Sequence, residues 1–324
     1  MIYQHIKPQS GSIELVRCNG SNIFTVTQTV DLAALLPSWK LALAADRKSP
    51  NTIEGYTDGV RLFLKWCAEH GHPAALDRTL VRGWVTGLLN AGAAPTTARA
   101  RQMALKRFAA WLVEEDLIEA DPLLRLKPPQ LDTKVVDRLT DDQCAELIRA
   151  CQGKTFLDRR DEAIARLMIE TGMRAGEVIG LGTADVDLTL GLAVIRRGKG
   201  GKGRIVPFGP QVARAIDRYL RLRQRHRLAH TPALWLGDNG QTFAYHGLNV
   251  TMKRRAELAG IKSFHCHLLR HTAASRWLAA GGSENGLMAV AGWSSREMLD
   301  RYTKASAADR AAAESRTLNL DLGV

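Results

Sequence analysis

The sequence predicts a mainly α-helical protein with one small antiparallel β-sheet, divided into two domains. Three observations lead there. From about Asp31 onward, apolar residues recur at the three-four spacing of helix faces. One stretch, LAVIRRGKGGKGRIVPFG, instead sets two apolar runs around a Gly/Lys turn, as a hairpin does. A proline-broken segment, EADPLLRLKPPQLDTKVVDR, interrupts the helices and reads as a linker.

Taken in order, residues 1–30 suggest an arm or hairpin, because Ile13, Leu15, Phe24 and Val26 flank the turn-like Asn19-Gly20. A helical domain follows over 31–118. Its first clear helix starts with Ser49 as cap and Pro50 at the first helical position, and Gly71 ends it. Ile53, Tyr56, Val60, Phe63, Leu64 and Cys67 mark its buried face. Further helices are expected over roughly Leu76–Asn90 and Thr96–Glu115. The linker takes 119–137. A second domain, 138–305, opens at Thr140 and Gln143, which have capping-box spacing. Helices are expected to about Gly180, then the hairpin, then helices again from Pro210. The Ala-rich 306–324 stretch predicts a tail helix.

Composition narrows the function. Lys plus Arg total 45 against 33 Asp plus Glu, a formal net charge of +12. Such an excess favours a polyanionic partner, because a basic face releases counterions from phosphates. Five scattered cysteines, an odd number with no CxxC pair, argue against a disulfide framework and for a reducing compartment. No secretory signal or membrane-spanning apolar run is evident, so no membrane is expected and a cytoplasmic location is.

Four segments carry the chemistry: TGMRAGEVIGL (171–181), RRGKGGKGRIVPF (196–208), HCHLLRHTAASRWLAAGG (265–282) and AGWSSREMLDRYTK (291–304). In order and spacing they resemble the motif boxes of the tyrosine recombinases, the phage integrases and the Xer-like and Cre-like enzymes. Thr171 to Glu177 resembles the T-G-hydrophobic-R-x-x-E box, Gly198 to Arg204 the G-K-G-x-K-x-R hairpin, and His267 to His271 the H-x-x-R-H box. Gly292-Trp293 followed nine residues later by Tyr302 resembles the last. The first domain matches only as a helical bundle with Thr52 and Tyr56 on an early helix.

The resemblance implies a two-domain DNA clamp, with a helical core-binding (SAM-like) domain and a catalytic domain. It implies site-specific strand exchange through a 3′-phosphotyrosine and a Holliday junction, for integration, excision or resolution. It implies double-stranded DNA with a core site as partner, four protomers on two sites joined through the C-terminal tail, and neither cofactor nor metal. Type IB topoisomerase-like relaxation is the alternative, and a non-catalytic regulator on the same fold is another. The short N-terminus leads to the expectation of no separate arm-site-binding domain.

Residue chemistry fits these roles. Arg174 and Arg270 are the pair that would grip the non-bridging oxygens, since guanidinium stays charged and binds two oxygens at once. Tyr302 is the nucleophile; a free phenol has a pKa near 10, so only about one part in a thousand is ionised at neutral pH. It needs an acceptor, and His267 is the candidate. Lys199 and Lys202 compete to protonate the leaving 5′-oxygen; the family alignment favours Lys199, leaving Lys202 for a phosphate. Trp293 stands where many members carry His and can donate one N–H but shuttle no proton. Glu177 reads better as a packing or ion-pair residue. His271 reads better as a satisfied core histidine. A metal site of His265, Cys266, His267 and His271 is the competing reading, opposed by the charge of Arg270. Arg99, Arg101, Lys106, Arg107, Lys202 and Arg204 are candidate DNA contacts against a plain solvated face.

Overall fold

A computed structural model describes residues 31–131, 137–196, 198, 203–238, 240–300, 302, 303 and 315. The expected arm (1–30), both hairpin lysines and nearly all of the expected tail lie outside them. The chain divides into a unit ending at Thr133 and another beginning at Lys134.

The first unit is a bundle of α1 (Leu36–Ala45), α2 (Pro50–Glu69), α3 (Arg78–Asn90) and α4 (Pro95–Glu114). Ser49 caps α2 through the Thr52 N–H, as its sequence suggests, and Asp77 caps α3. The core is aromatic and aliphatic: Trp39, Phe63, Trp84, Phe108 and Leu112 are all buried, each apolar side chain worth roughly 1.5–3 kcal/mol. Helices α2 and α4 approach closely because Gly59 has no side chain; a Cβ there would stand 2.5 Å from that of Ala104.

The expected linker starts too early. Leu123 and Leu126 are buried in this first core. Lys106 Nζ donates to the carbonyls of Leu124 (3.1 Å) and Leu126 (2.9 Å), and Gln102 Nε2 to that of Lys127 (3.0 Å). Helix α4 has already ended at Glu114 and no continuous helix runs through the prolines, but the two leucines return the chain to the bundle. Proline pattern alone does not reveal that anchoring.

The second unit begins with α5 (Asp141–Cys151), where Thr140 and Gln143 form the predicted capping box. Helix α6 (Phe156–Thr171) is buried along most of its length. After the single-turn α7 (Ala175–Ile179) come β1 (Val186–Asp187), β2 (Leu192–Ile195) and β3 (Arg204–Pro207), antiparallel in that order. Val194 pairs with Ile205 and Ile195 with Arg204, which sets the base of the hairpin. Helices α8 (Pro210–Arg223), α9 (Tyr245–Leu258), α10 (Cys266–Ala279) and α11 (Glu284–Ala291) complete the unit.

Helices do not run without a break from Pro210, as the sequence suggested. Between α8 and α9 the chain is irregular. Arg223 holds it: the buried guanidinium donates to the carbonyls of Ala229, Thr231, Ala233 and Leu234. These carbonyls have no helical partner, so a charge-assisted donor satisfies them.

Candidate active site

The site lies where the ends of α6, α10 and α11 meet. Helix α6 stops at Gly172, whose φ of 62° favours glycine and where a Cβ would press on that of Ala273 at 3.0 Å. The chain then turns so that Arg174 forms the N-cap of α7. Glu177 accepts the Arg174 N–H (2.8 Å) and the Arg174 Nη1 (2.9 Å), fixing that arginine at both ends.

Glu177 also binds a second arginine. Arg204 from β3 places Nη1 and Nη2 on its two oxygens at 2.8 Å each, while Arg204 Nε donates to the Val290 carbonyl at 2.7 Å. Burial pushes the Glu177 carboxyl up; the Arg204 hydrogen bonds, the Arg174 N–H and the Arg204 charge outweigh it and hold the acid at about 2. This one carboxylate therefore ties Arg174, the hairpin strand and the end of α11 together.

Arg270, on α10, is 2% exposed. It donates to the carbonyls of Gly172 (2.8 Å) and Ala291 (2.7 Å) and lies 5.3 Å from the Trp293 ring centre. Burial, then the charge of Arg174, brings its guanidinium down to about 10, so it stays charged at neutral pH. One helical turn earlier, burial first and then Arg270, His265 and Arg174 hold the His267 imidazole below its ordinary value. Each of these favours its neutral form. Burial pushes the Cys266 thiol up to about 11, so it remains protonated. Arg174, His267, Arg270, Tyr245 and Gly198 line one open cavity of about 450 Å³.

Tyr302 is buried, 5% exposed, in a small apolar cluster with Leu278, Leu287, Trp293 and Leu299. Its ring stacks on Trp293 at 5.2 Å and 18°. Its hydroxyl is hydrogen-bonded to Nδ1 of His271. The His267 ring meets the His271 ring edge-on, 4.5 Å between centres. Among the described residues, Trp293 Nε1 is the buried side-chain polar atom that lacks a partner.

A phage integrase family model matches residues 137–309, and one for the phage integrase N-terminal SAM-like domain matches residues 36–116. The chain belongs to the phage integrase family. Among its relatives, "Tyrosine recombinase XerC 2" of Ralstonia nicotianae is 34% identical over 277 residues, covering 82% of this chain and 80% of the relative. "Tyrosine recombinase XerC" of Mycobacterium tuberculosis is 31% identical over 285 residues, covering 85% and 95%. The chain is a tyrosine site-specific recombinase. Similar solved structures include the Tn1549 transposon integrase in complex with transposon right-end DNA, at TM-score 0.69 and 20% identity over 90% of this chain and all (100%) of that one. A lambda integrase dimer bound to a core site gives 0.64 and 15% over 83% and 94%. These likenesses support the fold.

In this recombinase the sequence-predicted residues divide. Arg174, His267 and Arg270 share the cavity; Trp293 and Tyr302, which stack on each other, are not among its lining residues. Lys199 and Lys202 lie outside the described residues. Arg204, nominated for DNA, is instead held by Glu177 and is 11% exposed. Lys106, also nominated, is committed to the carbonyls after α4. Arg99 and Arg107 are exposed on α4, and Arg101 is half-buried. One partner and one contact escaped the sequence. Glu177 is the ion-pair residue its sequence suggests, but the Arg204 partner, 27 residues away, carries no local signal. His271 was read as a core residue, yet it touches the Tyr302 hydroxyl; the only hint was its spacing of one turn from His267.

Proposed function

We propose that this recombinase cleaves and rejoins double-stranded DNA at a specific core site through a 3′-phosphotyrosine on Tyr302, exchanging strands by way of a Holliday junction. What carries the reading is the convergence of Arg174, Arg270 and His267 on one open cavity, with the Trp293 ring, stacked on Tyr302, 5.3 Å from the Arg270 guanidinium. A phosphodiester group fits that set. Two guanidinium groups neutralise charge that builds on the non-bridging oxygens. The indole N–H offers a further donor, which an oxygen of the phosphate would satisfy.

The Tyr302 oxygen attacks phosphorus, the bond to the 5′-oxygen breaks, and Lys199 supplies the proton to that leaving oxygen. A 5′-hydroxyl from the partner strand then attacks, and Tyr302 leaves. Each step exchanges one phosphate ester for another, so no external energy source is needed. Four protomers act on two sites in the cytoplasm, with the 306–324 tail as the link, and both units bind DNA. Exposed Arg99 and Arg107 are the candidates for phosphate contacts on the first unit.

A nicked duplex that loses a short fragment on cleavage tests this. The wild-type chain should accumulate a covalent DNA adduct, mapped by mass spectrometry to Tyr302, and Tyr302→Phe should form none. An adduct on Tyr302→Phe would refute the nucleophile assignment. Plasmid relaxation without two-site recombination would point to topoisomerase-like chemistry.

A further inference from the structure

We propose that His271 is the proton acceptor for the Tyr302 hydroxyl. The inference rests on the reading of Tyr302 as the nucleophile and names the group that activates it. His271 Nδ1 is hydrogen-bonded to that hydroxyl, and the two ring centres are 5.6 Å apart. The stacked Trp293 ring covers the phenol face, so the tyrosine is presented to the imidazole in one orientation. This is the reach a base requires of the proton it removes.

His267 is placed for different work. It lines the cavity with both arginines, whose charges, together with burial, oppose its protonation. A proton accepted there would put a third cation beside Arg174 and Arg270. Side chains at 267 and 271 share a helix face, whereas 270 and 271 diverge by about 100° around the axis. The two imidazoles thus meet on one face of α10, His267 lining the cavity with the arginines and His271 bonded to the phenol.

The step balances without a co-reactant. His271, neutral with its proton on Nε2, accepts the phenolic proton at Nδ1. The freed electron pair of the phenol oxygen forms the bond to phosphorus, and the bond from phosphorus to the 5′-oxygen breaks. That oxygen takes its proton from Lys199. On rejoining, the 5′-hydroxyl gives its proton back to the now neutral Lys199 as it attacks, and His271 returns its own to the departing phenolate.

The test uses the full chain and nicked duplexes tiled across the DNA that flanks its gene, choosing the duplex with the most wild-type adduct. His271→Ala should slow single-turnover cleavage on the order of 100-fold, the usual scale for a lost general base. Its DNA affinity should stay within about threefold. Added imidazole should restore cleavage to His271→Ala at least tenfold and do nothing for His267→Ala. His271→Asn keeps a polar side chain of similar shape and should keep the wild-type melting midpoint while still losing cleavage. A scissile link with sulfur in place of the 5′-oxygen, which needs no proton to leave, should rescue Lys199→Ala but not His271→Ala. Cleavage by His271→Asn within threefold of wild type, or imidazole rescue of His267→Ala instead, would overturn the inference alone. Failure of the wild-type chain to form an adduct on every duplex would overturn the nucleophile reading and this inference with it.

Discussion

The two units bury different things. In the first, the buried polar side chains among the described residues are Thr57 and Gln102, and the rest of the core is apolar. In the second, Arg160, Asp161, Glu162, Glu177, Asp185, Arg223 and Arg270 are all buried. A buried charge is costly unless it is paired and hydrogen-bonded. The second unit meets that requirement in two ways. Arg223 satisfies carbonyls of an irregular loop and touches nothing reactive. Arg270 uses carbonyls of Gly172 and Ala291 to hold its own position at the edge of the cavity. The difference teaches that a buried arginine can serve the backbone, or the backbone can serve the arginine.

The sharpest way to break that distinction is to remove each arginine. Arg270→Ala should lower single-turnover cleavage by roughly 100–1,000-fold, the usual scale for a lost charge-stabilising donor. Arg223→Met should instead destabilise the second unit by roughly 3 kcal/mol, since it strands several buried carbonyls. Differential scanning calorimetry would show that transition moving while the first unit's stays in place. Comparable cleavage losses in both variants, measured where both are folded, would erase the contrast.

Acid offers a second probe. Glu177 is held at about 2 when folded, below its ordinary value of 4.5. A depressed carboxyl contributes stability that is present above its unfolded pKa and lost as pH falls through the folded one. The second unit should therefore lose up to about 3 kcal/mol between pH 4.5 and pH 2, and Glu177→Gln should flatten that limb of a urea titration. An unchanged acid limb in the variant would remove Glu177 as its source.

The smallest effect belongs to the apolar unit. Gly59→Ala should cost the first unit roughly 1–3 kcal/mol, because its Cβ overlaps Ala104 and the two helices must separate. Thermal unfolding followed by Trp39 and Trp84 fluorescence would report it. A stabilised variant would mean that α2 and α4 can move apart freely.

Much of this was legible in the sequence because local rules applied. Ser49, Thr140 and the apolar spacing of α2 mark helix starts and faces within a few residues of one another. Arg174, His267 and Arg270 were legible because their boxes are short and ordered. The loop after α8 was not, since one arginine side chain satisfies it from a distance. Nor was the anchoring of Leu123 and Leu126, where a proline-rich stretch and a buried leucine pair give opposite signals.

By itself, the sequence determined the helical class, the hairpin, the division near the prolines and the residue types of the site, because these depend on neighbours a few positions apart. Only the tertiary structure decided that Glu177 joins Arg174 to Arg204, that Lys106 is committed to backbone carbonyls, and that His271 meets the Tyr302 hydroxyl. Those pairings span 18 to 31 residues, and nothing in the local chemistry of either partner selects the other until the chain is packed.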